Sequence, residues 1–132
     1  MNTVNHDQWI KSWIRKAETD LKAAERLYSF PDILADVVCF HCQQSVEKAL
    51  KGFLISKGKE IGKTHDLVLL IEESLVWEPS FRAYLKEGAV LNNYAVEARY
   101  PGPGDTYNEE DARKALESAR KIVANVKNIL QK

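Results

Sequence analysis

Apolar residues recur every three or four positions along most of this chain, and the recurrence is densest from Val38 to Leu54, VCFHCQQSVEKALKGFL. At about 100° per residue, Val38, Cys42, Ser45, Val46, Ala49, Leu50, Gly52, Phe53 and Leu54 fill one broad arc of a helix. Gln44, Glu47, Lys48 and Lys51 gather on the other side, as a solvent or dimer face, and near the start Val37 and Phe40 carry the apolar character round to it. The pattern predicts a central helix with neighbours on several sides. Two residues go against an apolar arc. Gln43 falls within it, and because an unpartnered buried amide costs roughly 1–3 kcal/mol, a polar group on a facing helix, with Asn92 and Arg99 as candidates, or across an interface is expected to meet it. Gly52 also faces inward, at a cost of about 1 kcal/mol relative to alanine in a helix interior, which the close approach of another helix would offset.

The flanking segments keep the same period. From Asp7 to about Ser29 the positions Trp9, Trp13, Ala17, Leu21, Ala24, Leu27 and Tyr28 form a stripe, with Asp7 as its cap. Pro31 breaks this helix, Asp32 is placed to cap the central one, which runs to about Lys57, and so short a connection makes the two antiparallel neighbours. Gly58 and Gly62 suit the left-handed conformation that ends helices, Thr64 suits the next cap, and Asp66 suits a first turn. Leu67, Leu70, Ile71 and Leu75 predict a short helix closing near Trp77. Pro79 opens a fourth long segment to about Tyr100, in which Phe81, Leu85, Gly88, Asn92, Ala95 and Arg99 share one direction to within about 40°. That segment stops in Pro101-Gly102-Pro103-Gly104, a turn-forming run. The last helix starts after Asn108, with Glu109, Glu110 and Asp111 in its first turn, and buries Ala112, Ala115, Leu116, Ala119, Ile122, Val123, Val126 and Leu130. Nothing alternates with period two. The prediction is an all-α, up-and-down bundle of four longer helices with one short helix inserted, a single domain over residues 1–132.

Charge changes this picture little at first. Lys plus Arg and Asp plus Glu number 19 each, which argues against a uniformly basic nucleic-acid binder but leaves room for a local patch. The start, MNTVNHDQW, lacks the pattern of a signal peptide, and no apolar run approaches the roughly 20 residues of a membrane span, so a soluble cytoplasmic protein is expected. Cys39 and Cys42 lie three apart on one helix, a poor spacing for a mutual disulfide, and fit reduced, buried thiols.

The candidate chemistry narrows to a few side chains. In Cys39-Phe40-His41-Cys42, Cys39 and His41 project about 160° apart on a helix and do not converge on a metal. No phosphate-cradling GxxxxGK[ST] or GxGxxG occurs, and no cofactor or metal is expected. Arg99 and Asn92 are the polar pair on an inward stripe, and an inward arginine calls for a carboxylate, carbonyls or a phosphate. His41, at the edge of the central helix's polar face, and His65, after Thr64, are the other titratable candidates.

Four segments in order carry a resemblance over nearly the whole chain: Trp9 with Ala17-Glu18-x-Asp20-Leu21, Phe40-His41-x-Gln43-Gln44-x-x-Glu47-Lys48-Ala49-Leu50-Lys51, Thr64-His65-Asp66-Leu67, and Ala98-Arg99-Tyr100-Pro101. Together they resemble the HEPN domain, the higher-eukaryote and prokaryote nucleotide-binding family. The resemblance implies a helical bundle, a homodimer, a nucleotidyltransferase-family partner and a role in toxin-antitoxin modules of prokaryotes. Many active members are metal-independent ribonucleases with an Arg followed four to six residues later by His, and Arg99 resembles that arginine. Gly104, Asp105 and Thr106 occupy the positions for the His, and no histidine follows Arg99. The expectation is therefore a nucleotide- or nucleic-acid-phosphate-binding protein without catalysis of its own, with Arg99 on phosphate, Asn92 orienting it, and Tyr100 or Tyr107 stacking on a base. The alternatives are an endoribonuclease toxin using Arg99 with a relocated His41 or His65, and a structural interaction module in which Arg99 closes on a carboxylate such as Glu47. Gln43, Gln44, Glu47, Lys48 and Lys51 are assigned structural or interface roles.

Overall fold

Period and capping produce five α-helices in the computed structural model, which describes residues 6–97 and 107–132. They are α1 (His6–Tyr28), α2 (Ala35–Ser56), α3 (Leu67–Ser74), α4 (Leu85–Glu97) and α5 (Glu109–Leu130), with a 3-10 turn at Pro79–Tyr84 leading into α4. The all-α fold stands, and α3 is the short inserted helix. The expected fourth helix is divided, because Pro79 starts a tighter turn that delivers buried Phe81 and Tyr84 to the core before α-helical geometry begins.

Cross-helix pairs give the directions. Gly52 of α2 lies against Trp13 and Ile14 of α1, and Lys48 reaches Asp20, so α1 and α2 are antiparallel. Tyr84 meets Asn125, Glu87 meets Lys121 and Tyr94 meets Tyr107, so α4 and the start of α5 run oppositely. The result is the up-and-down bundle, with α2 at its centre. A Cβ on Gly52 would stand 3.1 Å from Trp13 Cβ and 3.2 Å from Ile14 Cδ1; the glycine is the price of that approach.

Several ends differ from expectation for local reasons. Helix α1 starts at His6, which places Asp7 in its first turn rather than at a cap. Its buried seam is Ile14, Ala17 and Ala24, and Trp9, about 85° from the centre of that seam, is 48% exposed. Helix α2 is capped at Leu34 with no side-chain bond, not at Asp32, because Ile33 first docks on the core. Val37 is exposed, so no described residue covers α2 on that side. At the other end Gly58 (φ 80°) closes α2 with Gly58 N–H donating to Ile55 O and Lys59 N–H to Leu54 O, whereas Gly62 has no positive φ. Asp66, not Thr64, caps α3: its Oδ1 accepts from Val68 and Leu69 N–H, while Thr64 Oγ1 supports Asp66 N–H. An ionised acceptor makes the stronger cap. Asn108 caps α5 in a reciprocal capping box with Asp111, as expected.

Candidate functional site

The polar positions of α2 divide onto two flanks. Toward α1, Asp20 receives His41 Nδ1 at 2.9 Å on one carboxylate oxygen and Lys48 Nζ at 2.5 Å on the other. Toward the head of α3, Glu47 receives Lys51 Nζ at 3.0 Å, His65 Nδ1 at 3.0 Å and Gln43 Nε2 at 3.2 Å. The expectation that Glu47 and Lys51 face solvent is corrected, since they are 4% and 5% exposed. The short connection into α3 brings His65 over that flank, and the lysine four residues on neutralises the carboxylate within the helix. Gln44 and Lys48 remain half-buried on the open side.

Gln43 is fully buried, as its place in the apolar arc requires, but its partners among the described residues do not include Asn92. Its Nε2 donates to Glu47 and to His65 O, and its Oε1 accepts from Gln44 Nε2 at 2.6 Å. Asn92 instead ties α4 to the head of α3, accepting Leu67 N–H at 2.7 Å and donating to Asp66 Oδ1 at 2.8 Å. Each end of its amide thus makes a bond within the fold. Tyr107 makes an edge-to-face contact with Tyr94 at 4.7 Å, and its N–H donates to Asp36. Arg99 and Tyr100, with the turn at 101–106, lie outside the described residues.

The two histidines share one electrostatic arrangement. A carboxylate only accepts, so in each neutral ring Nδ1 carries the proton and Nε2 offers a lone pair. Neither Nε2 has a partner among the described residues. The His65 side chain is 55% exposed and that of His41 29%, so His65 is the more accessible base. Its orientation is fixed from behind by a buried ion pair, while its reactive edge meets solvent.

The thiols are on a different part of α2 and have a different character. Burial first, then the charges of Asp111 and Asp36, pushes Cys39 from the ordinary 9.0 up to about 12, and burial pushes Cys42 and the Tyr94 hydroxyl up as well. Such thiols stay protonated and unreactive at neutral pH. Among the described residues no group of three or more His, Cys, Asp or Glu side chains is arranged to hold a metal, and no helix is long and apolar enough to cross a membrane.

Asp20 and Glu47 are the carboxylates that sequence reasoning left unpaired with His41 and His65. The signal for Asp20 lay in the antiparallel pairing itself, because a contact of residue 13 with residue 52 brings residue 20 near residue 48.

Comparisons with known proteins agree along the full length of this architecture. The family model described as HEPN domain matches residues 10–129. A Methanocaldococcus jannaschii protein named "Putative toxin MJ1304" is 29% identical over 143 residues, spanning 94% of this chain and 90% of that protein. The crystal structure of TT1696 from Thermus thermophilus superimposes with a TM-score of 0.75 at 25% identity, over 90% of this chain and 96% of that one. The structure of ST0689, described as an archaeal HEPN homologue, gives a TM-score of 0.72 at 30% identity, over 90% and 95% of the two chains.

Proposed function

Because this chain belongs to the HEPN domain family, we propose that it is a toxin-type HEPN protein that binds the phosphate of a nucleotide or RNA. In this reading it works as a homodimer with a nucleotidyltransferase-family partner. The carrying observation is His65, half-exposed, with Nδ1 held on Glu47 and Nε2 left for a ligand. Arg99, two residues beyond the end of α4 in sequence, supplies the planar fork that grips phosphate oxygens. The name of the Methanocaldococcus relative supports the toxin side of the proposal. Calorimetric titration with nucleoside triphosphates is expected to give binding that weakens at least tenfold, about 1.4 kcal/mol or more, in both Arg99→Ala and His65→Ala. Absence of binding to the wild type, or unchanged binding in both variants, would remove the reading. Copurification from the native host tests the partner separately.

A second reading, a metal-independent endoribonuclease, is favoured by the carboxylate-held histidines. Nε2 of His65 or His41 would take the proton of a ribose 2′-hydroxyl as its oxygen attacks the adjacent phosphorus. The 5′-oxygen would leave with a proton from the protonated ring of the other histidine or from water, giving a 2′,3′-cyclic phosphate. Arg99 would stabilise the charge on the non-bridging oxygens. A cleavage assay on end-labelled RNA is expected to show loss of roughly 100-fold or more in whichever histidine variant removes the base. Full activity in His65→Ala, His41→Ala and Arg99→Ala alike would exclude this mechanism.

A further inference from the structure

Helix α1 has its charges sorted by partner. Besides Asp7 in its first turn, its carboxylates Glu18, Asp20 and Glu25 are held by cations of other helices, Lys127 at 2.7 Å, Lys48 at 2.5 Å and Arg120 at 2.7 Å. Its own cations Lys11, Arg15, Lys16, Lys22 and Arg26 are exposed. None of the five has a carboxylate partner among the described residues. A chain of zero net charge therefore carries a local excess of positive charge along one helix.

The arrangement is linear. Lys11, Arg15, Lys22 and Arg26 fall within about 60° of arc and extend over roughly 22 Å of helix. Arg15 lines three cavities: one of about 590 Å³ between α1 and α5, one of about 630 Å³ at the amino-terminal end of α1, and one of about 430 Å³ shared with Ser12, Lys16, Thr19, Asp20 and Lys48. Trp9, the large hydrophobic side chain exposed on α1, lies with Lys16 on another side of the helix, roughly 110–130° round from the middle of this row.

We propose that this face of α1 is a docking ridge for single-stranded nucleic acid, its cations on successive phosphates. The proposal rests on the phosphate-binding reading above for the class of ligand, but not for the surface, since the ridge is on α1 whereas His65 precedes α3 and Arg99 follows α4 in sequence. An acidic protein partner fits less well, because protein interfaces need an apolar centre, and the exposed face here offers no aliphatic side chain. Contact with the phosphates of a strand needs only a row of cations.

Each phosphate neutralised on a single strand contributes about −0.7 to the slope of log K against log salt. Anisotropy titration of a labelled oligoribonucleotide against the full chain should therefore give a slope of roughly −3. The variant Lys11→Gln/Arg15→Gln/Lys22→Gln/Arg26→Gln should lose nearly all of that slope and at least 100-fold in affinity at low salt, with its helical circular dichroism intact. Trp9→Ala, off the row, should leave affinity and slope unchanged, and Arg15→Lys/Arg26→Lys should keep the wild-type slope. Binding of the quadruple variant with wild-type slope and affinity overturns the ridge, as does unchanged RNA binding accompanied by loss of a copurifying acidic protein. Mononucleotide binding separates the two claims. If it is lost in Arg99→Ala while ridge variants bind RNA normally, the ridge falls and the phosphate site stands; if ridge variants lose RNA while wild type binds no mononucleotide, the ridge stands alone.

Discussion

Replacing Glu47 with alanine is expected to lower the stability of the fold by about 3–5 kcal/mol, because it strands a buried ammonium. The side chains of Glu47 and Lys51 are 5% and 6% exposed, and the carboxylate also holds Gln43 and His65. Urea denaturation of the wild type and variant measures the difference. A loss below about 1 kcal/mol would mean that water reaches the pair and that the flank is open. The double variant Glu47→Met/Lys51→Met should recover much of the stability, since a buried ion pair exchanged for apolar groups of similar volume is often neutral. It should not recover ligand binding, because His65 would have lost the carboxylate that orients its ring. Stability and function are thus separable at one position.

The second large effect is alkaline. Cys39 has its folded pKa raised from 9.0 to about 12, and Cys42 and Tyr94 are raised in the same direction. Above pH 9 the unfolded chain releases thiol protons that the folded chain retains, so the stabilisation, complete below pH 9, declines as pH rises toward the folded values. Each thiol contributes about 1.4 kcal/mol per pH unit over that window, and the two together should remove roughly 4–5 kcal/mol by pH 11. Thermal or urea unfolding at successive pH values reads the slope. In Cys39→Ala/Cys42→Ala the slope should flatten markedly, whatever the variant's stability at neutral pH. An unchanged slope would assign the alkaline loss to other groups.

The helices were legible because burial of one face imposes a period that no other element shares. Gly52 was legible for the same reason, as an inward glycine has little use except to admit a neighbour, and Ile14 and Trp13 fill that role. The caps were less legible, since Asp32, Thr64 and Asp66 are all chemically competent and only the packing of Ile33 and the geometry of the turn chose among them. The candidate site was legible in its members and not in its connections. Gln43, Glu47, Lys51 and His65 were all singled out, yet a helical projection places Glu47 and Lys51 toward solvent until the chain returns over them. Asn92 was read as facing inward and lies half-buried, and its partners are backbone and cap groups of α3 that no spacing rule identifies.

The sequence by itself determined the class of fold, its helix order, the family and the residues worth testing. These follow from local periodicity and from short motifs, which are properties of neighbours in the chain. Only the tertiary structure decided which charges are neutralised. Equal numbers of acids and bases describe a sum, whereas Coulomb interactions depend on separation, and separation is set by how helices distant in sequence come to lie side by side. Thus Glu47 is buried with Lys51 beneath His65, while Glu18, Asp20 and Glu25 are taken up by other helices and leave the cations of α1 facing water.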